Sequence, residues 1–81
     1  MKLKAVIIDD EVSAVRVLNA LVQKYCPQVS IVSTFNDPVE GSEFLKNSEI
    51  DLLFLDIEMP RLAGFELLQS LEEGYSFEVI F

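Results

Sequence analysis

Histidine is absent from this chain, and cysteine occurs once, as Cys26. Without histidine there is no His-rich zinc site and no His-dependent nucleophilic triad. A single cysteine excludes an internal disulfide, and a cytosolic setting is the simpler reading. Cys26 itself reads as a small packed residue near a helix end. Basic residues are scarce: 6 stand against 14 acidic ones, for a net charge of −8. A nucleic-acid surface needs a basic footprint, so this segment is not expected to bind nucleic acid. The same imbalance is compatible with cation binding. Long apolar runs are also missing, and none approaches the ~20 residues that span a bilayer. Lys2 and Lys4 lead into only four apolar residues, too few for a signal peptide. No membrane contact is expected.

What is present suits one small globular domain. The chain has 81 residues and is 51% apolar, which argues against disorder. A core of this size is marginal, because a short domain leaves much of its unfolded surface exposed. "AVII" (5–8) is a continuous apolar run, as in a strand buried on both faces. Ala14, Val15, Leu18, Leu21, Val22 and Tyr25 then recur at helical spacing, predicting a helix over about 11–25 that Pro27 stops. "VSIVSTF" (29–35) reads as a second strand, polar enough to lie at a sheet edge. Asp37 suits an N-cap and Pro38 a first helical position, for a helix to about Asn47 that Gly41 weakens. "DLLFLD" (51–56) is a third strand, "FELLQSLEE" (65–73) a third helix with Gly74 as its cap, and "SFEVIF" (76–81) opens a fourth strand. Alternation of this kind predicts an α/β fold: a parallel sheet with helices on both faces.

Two of the buried strands end on acids. "VIIDDE" (6–11) runs three apolar residues into three carboxylates, and the third strand ends on Asp56. At roughly 5 Å and an effective dielectric of about 20, one like-charged pair repels by ~3 kcal/mol. Open parallel sheets gather ligands beyond the carboxyl ends of their strands. If the first and third strands are neighbours, Asp9, Asp10 and Asp56 converge at one edge. All three are hard oxygen ligands of the type Mg²⁺ favours, and the ion would turn their repulsion into attraction. Taken singly, the acids have plainer uses: helix capping and dipole compensation for "DDE", and a turn before Pro60 for Asp56.

"VIIDDE" followed by "LLFLDIEMPRLAGFELL" (52–68) resembles the receiver domain of bacterial response regulators, and the likeness runs along the whole chain. The resemblance implies a flavodoxin-like doubly wound parallel sheet of order 2-1-3-4-5. It implies that Asp56 is the phosphoacceptor, taking a phosphoryl group from a sensor histidine kinase. Asp10 would ligate Mg²⁺ directly, Asp9 largely through water, and Glu58 through its backbone carbonyl. Met59, Pro60 and Gly64 match the family's loop. Such a domain is a cytoplasmic switch rather than an enzyme. The "LDIEMPRLAGFELL" segment resembles receivers joined to a LytTR-type DNA-binding domain, which would make transcription the output of a C-terminal domain outside this chain.

Ala63 stands where the family usually has Asp or Ser, leaving the third helix without a side-chain cap at a cost of ~1 kcal/mol. The family's Thr or Ser after the fourth strand and Lys after the fifth do not fall within residues 1–81. The segment is therefore expected to be the N-terminal two-thirds of one receiver domain. Alone, it would leave "FEVIF" as an edge and uncover one face of "AVII" and "LLFL" with part of the first helix. Self-association, or membership of a longer chain, is the expected consequence. Two other readings compete. A haloacid-dehalogenase-like phosphohydrolase also uses a strand-end Asp with Mg²⁺, but its motif wants a second Asp two residues on, where Glu58 stands. A structural or interaction fragment would share the fold and lack the phosphorylation.

Overall fold

The first strand, β1 (Leu3–Ile8), is central because its side chains leave no polar face to show water. Ala5, Val6, Ile7 and Ile8 are at most 1% exposed. The computed structural model describes residues 2–56 and 76–80. The remaining elements are α1 (Val12–Tyr25), β2 (Val29–Phe35), α2 (Pro38–Lys46), β3 (Leu52–Leu55) and β4 (Glu78–Ile80). All strand pairs are parallel, and the sheet order is β2-β1-β3-β4. This is the expected α/β arrangement, with the more polar β2 at an edge. The third helix anticipated over 65–73, with its cap at Gly74, lies outside the described residues.

Alternation along β1 sends its side chains to two different layers. Val6 and Ile8 join Leu53, Leu55, Ile50 and Leu45 of α2 in one apolar cluster. Phe35 and Phe44 extend it, their ring centroids 5.2 Å apart in a tilted contact. Ile7 faces the other way, toward Leu18 of α1. The two helices therefore sit on opposite faces. Each fully buried aliphatic side chain contributes about 1.5–3 kcal/mol, so β1 alone anchors much of the fold.

The first helix departs from its expected inner face. Val15 and Val22 are buried, but Leu21 is 48% and Tyr25 66% exposed. The apolar stripe is wider than the surface β1 and β2 offer it, and its outer edge, with Val17, faces solvent. Lys24 partly covers Tyr25, its Nζ 5.2 Å from the ring centroid. The face of "AVII" expected to be open is instead closed, since α1 lies over it. On β3 the expectation holds better: Leu52 and Phe54 are half-buried while Leu53 and Leu55 are buried.

The second helix begins as its sequence dictates. Asp37 is the N-cap, its carboxylate accepts the Val39 N–H at 2.9 Å, and Pro38 takes the first turn. Gly41, read from sequence as a weakness, has a tertiary purpose. A Cβ there would stand 2.5 Å from Ile8 Cδ1 and 2.9 Å from Ile8 Cγ1. Ile8 is fully buried, so it has little room to give. Overpacking of this kind costs about 1–3 kcal/mol, whereas Gly→Ala within a helix returns about 1 kcal/mol of propensity. Gly41→Ala should therefore be nearly neutral to mildly destabilising, and Gly41→Val should lose about 2–3 kcal/mol. Urea melts of the two variants check this, and a Val variant as stable as the parent would mean that α2 can back away from β1.

Pairing between β1 and β2 is not uniform. Ala5 faces Ile31 but Val6 faces Ser33, so Val32 is an extra residue in β2. A bulge twists and interrupts a strand, here on the edge of the sheet, where an unbroken ladder would invite another chain. At the amino end of the sheet, Asp51 clasps β1 twice. Its N–H donates to Lys4 O at 2.8 Å, and its carboxylate accepts the Lys4 N–H at 2.7 Å. Among the described residues no helix is long and apolar enough to cross a membrane.

Candidate metal and phosphoacceptor site

Register decides where the acids go. Ile8 of β1 pairs with Leu55 of β3, so Asp9 and Asp56, the next residues, emerge side by side. The Asp56 N–H donates to Ile8 O at 3.1 Å, and the Asp9 N–H donates to Phe35 O at 3.0 Å. Each acid is thus seated by a ladder bond to its neighbouring strand. Asp9, Asp10 and Asp56, all half-buried, offer carboxylate oxygens within 4.8 Å of one another. Two oxygens on one Mg²⁺ stand about 3 Å apart when adjacent and about 4 Å apart when opposite, given bonds of ~2.1 Å. The trio therefore fits the ion after small side-chain rotations.

Backbone donors aim part of this cluster. The Glu11 N–H donates to Asp9 Oδ1 at 3.0 Å. Glu11 is the N-cap of α1 in extended conformation, and its own side chain makes no capping bond. The turn is thus held by the Asp9 carboxylate. The Asn36 side-chain amide donates to the Asp9 carbonyl oxygen at 3.0 Å. Asn36 escaped the sequence reading, although a signal exists. It is the first residue past β2, so it falls at the same sheet edge as the first residues past β1 and β3.

Burial raises the Asp9 pKa above its ordinary value of 3.8; the Glu11 N–H bond opposes this, and the charges of Asp56, Asp10 and Glu11 add to the rise. Every charge named there is negative, which is the condition a bound cation relieves. The sign of the linkage follows. A carboxyl whose pKa rises on folding favours the folded state below pH 3.8 and loses that contribution as pH climbs through the folded value. In metal-free buffer, Asp9→Asn should therefore be somewhat more stable than the parent at pH 7. Asparagine keeps the oxygen that accepts the Glu11 N–H. The gap should close at about pH 2.5, well below 3.8, where the Asp9 carboxyl is largely protonated in the folded and unfolded chains alike. Paired urea melts at the two pH values test it, and a destabilised Asn variant at pH 7 would contradict the repulsion.

Three of the site residues read from sequence are brought together: Asp9, Asp10 and Asp56. Glu58 lies outside the described residues, as do Met59, Pro60, Ala63 and Gly64.

Comparison with known proteins bears on the same features. A family profile described as "Response regulator receiver domain" matches residues 5–81. The chain is 35% identical over 71 residues to the "Transcriptional regulatory protein YpdB" of Escherichia coli strain K12, covering 88% of this chain and 29% of that protein. The response regulatory domain of protein MrkE from Klebsiella pneumoniae superposes with a TM-score of 0.84 at 31% identity, over 98% of this chain and 65% of that one. A CheX–CheY–BeF3–Mg²⁺ complex from Borrelia burgdorferi matches with a TM-score of 0.76 at 30% identity, over 88% of this chain and 53% of that one. The chain thus spans less than a third of its transcriptional relative. With the profile match across nearly the whole chain and the fold shared with these relatives, the chain belongs to the response-regulator receiver-domain family.

Proposed function

We propose that residues 1–81 form the N-terminal two-thirds of a receiver domain that accepts a phosphoryl group on Asp56. The observation that supports this most directly is the meeting of Asp9, Asp10 and Asp56 within 4.8 Å at the carboxyl edge of the sheet. In this reading Asp10 and Asp56 hold Mg²⁺ through their carboxylates, Asp9 largely through water, and Glu58 through its backbone carbonyl. The relative solved with Mg²⁺ and BeF3 supports the choice of ion.

Asp56 attacks as the free carboxylate. One of its oxygens forms the new P–O bond, and the P–N bond of a kinase phosphohistidine breaks with its electron pair leaving on the imidazole. The product is an aspartyl phosphate. Mg²⁺, when bound, supplies positive charge against the anionic oxygens on both sides of this transfer. Asp9 and Asp10 serve as ligands, and neither needs to move a proton. The partner is a sensor histidine kinase, and the setting is cytoplasmic. The likeness to a transcriptional regulator supports a DNA-binding output domain elsewhere in the parent protein, with the receiver as its switch.

The deciding experiment treats a complete receiver carrying this sequence with acetyl phosphate and Mg²⁺. One label per chain, on Asp56, supports the reading; no label leaves only an interaction module. The isolated 81-residue segment should also self-associate. Ile80 on β4 is 44% exposed, and Val17 and Leu21 add further apolar surface. Among the described strands β4 is an edge, which offers a second copy both unpaired backbone and apolar side chains. Sedimentation at micromolar concentration should show a dimer or larger, and a concentration-independent monomer would refute this.

A further inference from the structure

We propose that Asn36 is a positioning residue for the acidic site: its side-chain amide fixes the peptide between Asp9 and Asp10, and through it the aim of the Asp10 carboxylate at a divalent cation. The inference rests on the reading of Asp9, Asp10 and Asp56 as a Mg²⁺ site.

The argument begins with what holds each carboxylate. Asp9 Oδ1 accepts the Glu11 N–H at 3.0 Å. Among the described residues, no hydrogen bond holds the Asp10 carboxylate. Its direction is therefore set by the backbone from which it projects. That backbone is one rigid plane, because the Asp9 carbonyl and the Asp10 N–H belong to the same peptide group. The Asn36 amide donates to this carbonyl at 3.0 Å. A carbonyl oxygen only accepts, so the group facing it is the NH₂ of Asn36 and not its oxygen. The other side of Asp9 is tied to the same segment, since its N–H donates to Phe35 O at 3.0 Å. That second bond is an ordinary ladder bond that any residue at 35 would make. The bond from Asn36 requires a side-chain donor of this length at this position.

Together the two bonds clamp Asp9 to the end of β2 from both sides. Release of one leaves the peptide free to rotate about the adjoining single bonds, and Asp10 swings with it. Mg²⁺ tolerates little departure from octahedral geometry, so misaim of a direct ligand is felt in affinity. Asn36 is exposed, so its contribution to global stability is small and the two effects can be measured apart.

The test is a Mg²⁺ titration of a complete receiver carrying this sequence, followed by amide shifts of residues 9–11 and 56 and paired with urea melts without metal. Asn36→Ala and Asn36→Leu remove the donor, the second at nearly constant volume. Both should bind Mg²⁺ about threefold to tenfold more weakly. Both should shift the Asp10 amide resonance of the metal-free protein, with the urea midpoint little changed. Asn36→Gln keeps an amide donor and should recover part of the affinity. Equal affinities in parent and truncated variants overturn the inference while the site reading stands. A parent that shows no Mg²⁺-dependent shifts at these residues overturns the site reading, and this inference with it. Truncations that fail to fold also overturn it, because Asn36 would then be a structural residue.

Discussion

Asp56→Asn should abolish phosphoryl labelling by acetyl phosphate in a complete receiver that carries this sequence. The parent protein should take one label, as an acyl phosphate stable to acid and labile to base. The asparagine is nearly isosteric, and the Asp56 N–H that bonds Ile8 O belongs to the backbone, so the seat of the residue is unchanged. What is lost is the nucleophile. A carboxylate oxygen carries the negative charge and free electron pair that attack phosphorus, and a neutral amide oxygen does so far less readily. The expected fall in labelling is at least a hundredfold, equivalent to about 3 kcal/mol or more of activation free energy. Intact-mass analysis of parent and variant measures it. Persistent labelling at the same stoichiometry would move the acceptor to another residue and sink the assignment of Asp56.

Asp10→Asn should weaken Mg²⁺ binding sharply. The substitution removes one negative charge from a cluster whose ligand oxygens lie within 4.8 Å of one another. At a bond of ~2.1 Å and an effective dielectric of about 20, each unit of charge on the ion is attracted by ~8 kcal/mol per carboxylate before the cost of stripping water from both. Salt and solvent reduce that figure, and a loss of about tenfold to a hundredfold in affinity is the expected remainder. The variant should also be no less stable than the parent without metal, because it relieves like-charge contact. The measurement is again a Mg²⁺ titration read at the amides of residues 9–11 and 56. Unchanged affinity would mean that the ion, if bound, ignores the residue this site depends on most.

Local chemistry was legible in the sequence wherever a structure depends on neighbours along the chain. Asp37 followed by Pro38 announces a helix start, and the structure begins α2 there with the Asp37 carboxylate on the Val39 N–H. The run "AVII" signals burial on both faces, and those four residues are at most 1% exposed. The acids at the ends of two apolar strands could be placed together because parallel topology leaves few alternatives. Contacts between distant segments were not legible. Gly41 looks like a flaw within its own helix, and only the approach of Ile8 explains it. Leu21 and Tyr25 share the helical period of Val15 and Val22, yet the sheet beneath α1 is too narrow to cover them. Asn36 has no local partner that would mark it, since its bond reaches across to Asp9. The extra residue at Val32 is likewise invisible until β2 is laid against β1.

The pairing of Ile8 with Leu55 and with Phe35 carries a consequence for folding fidelity. Side chains in a strand alternate faces, so a slip of one residue between β1 and β3 would displace Asp56 by about 3.3 Å and turn it toward the opposite layer. The apolar residues of "LLFL" would tolerate such an error better than most strands, because both of their faces are greasy. The acids would not form their trio. Mg²⁺ bound at the proposed site would prefer the correctly aligned sheet over its misaligned rivals, and a ligand with differential affinity shifts populations toward the state it prefers. On this view the ion acts as a proofreader of strand alignment before any phosphoryl group arrives. Refolding in millimolar Mg²⁺ should then favour the native register, where refolding in chelator would leave that choice to packing alone.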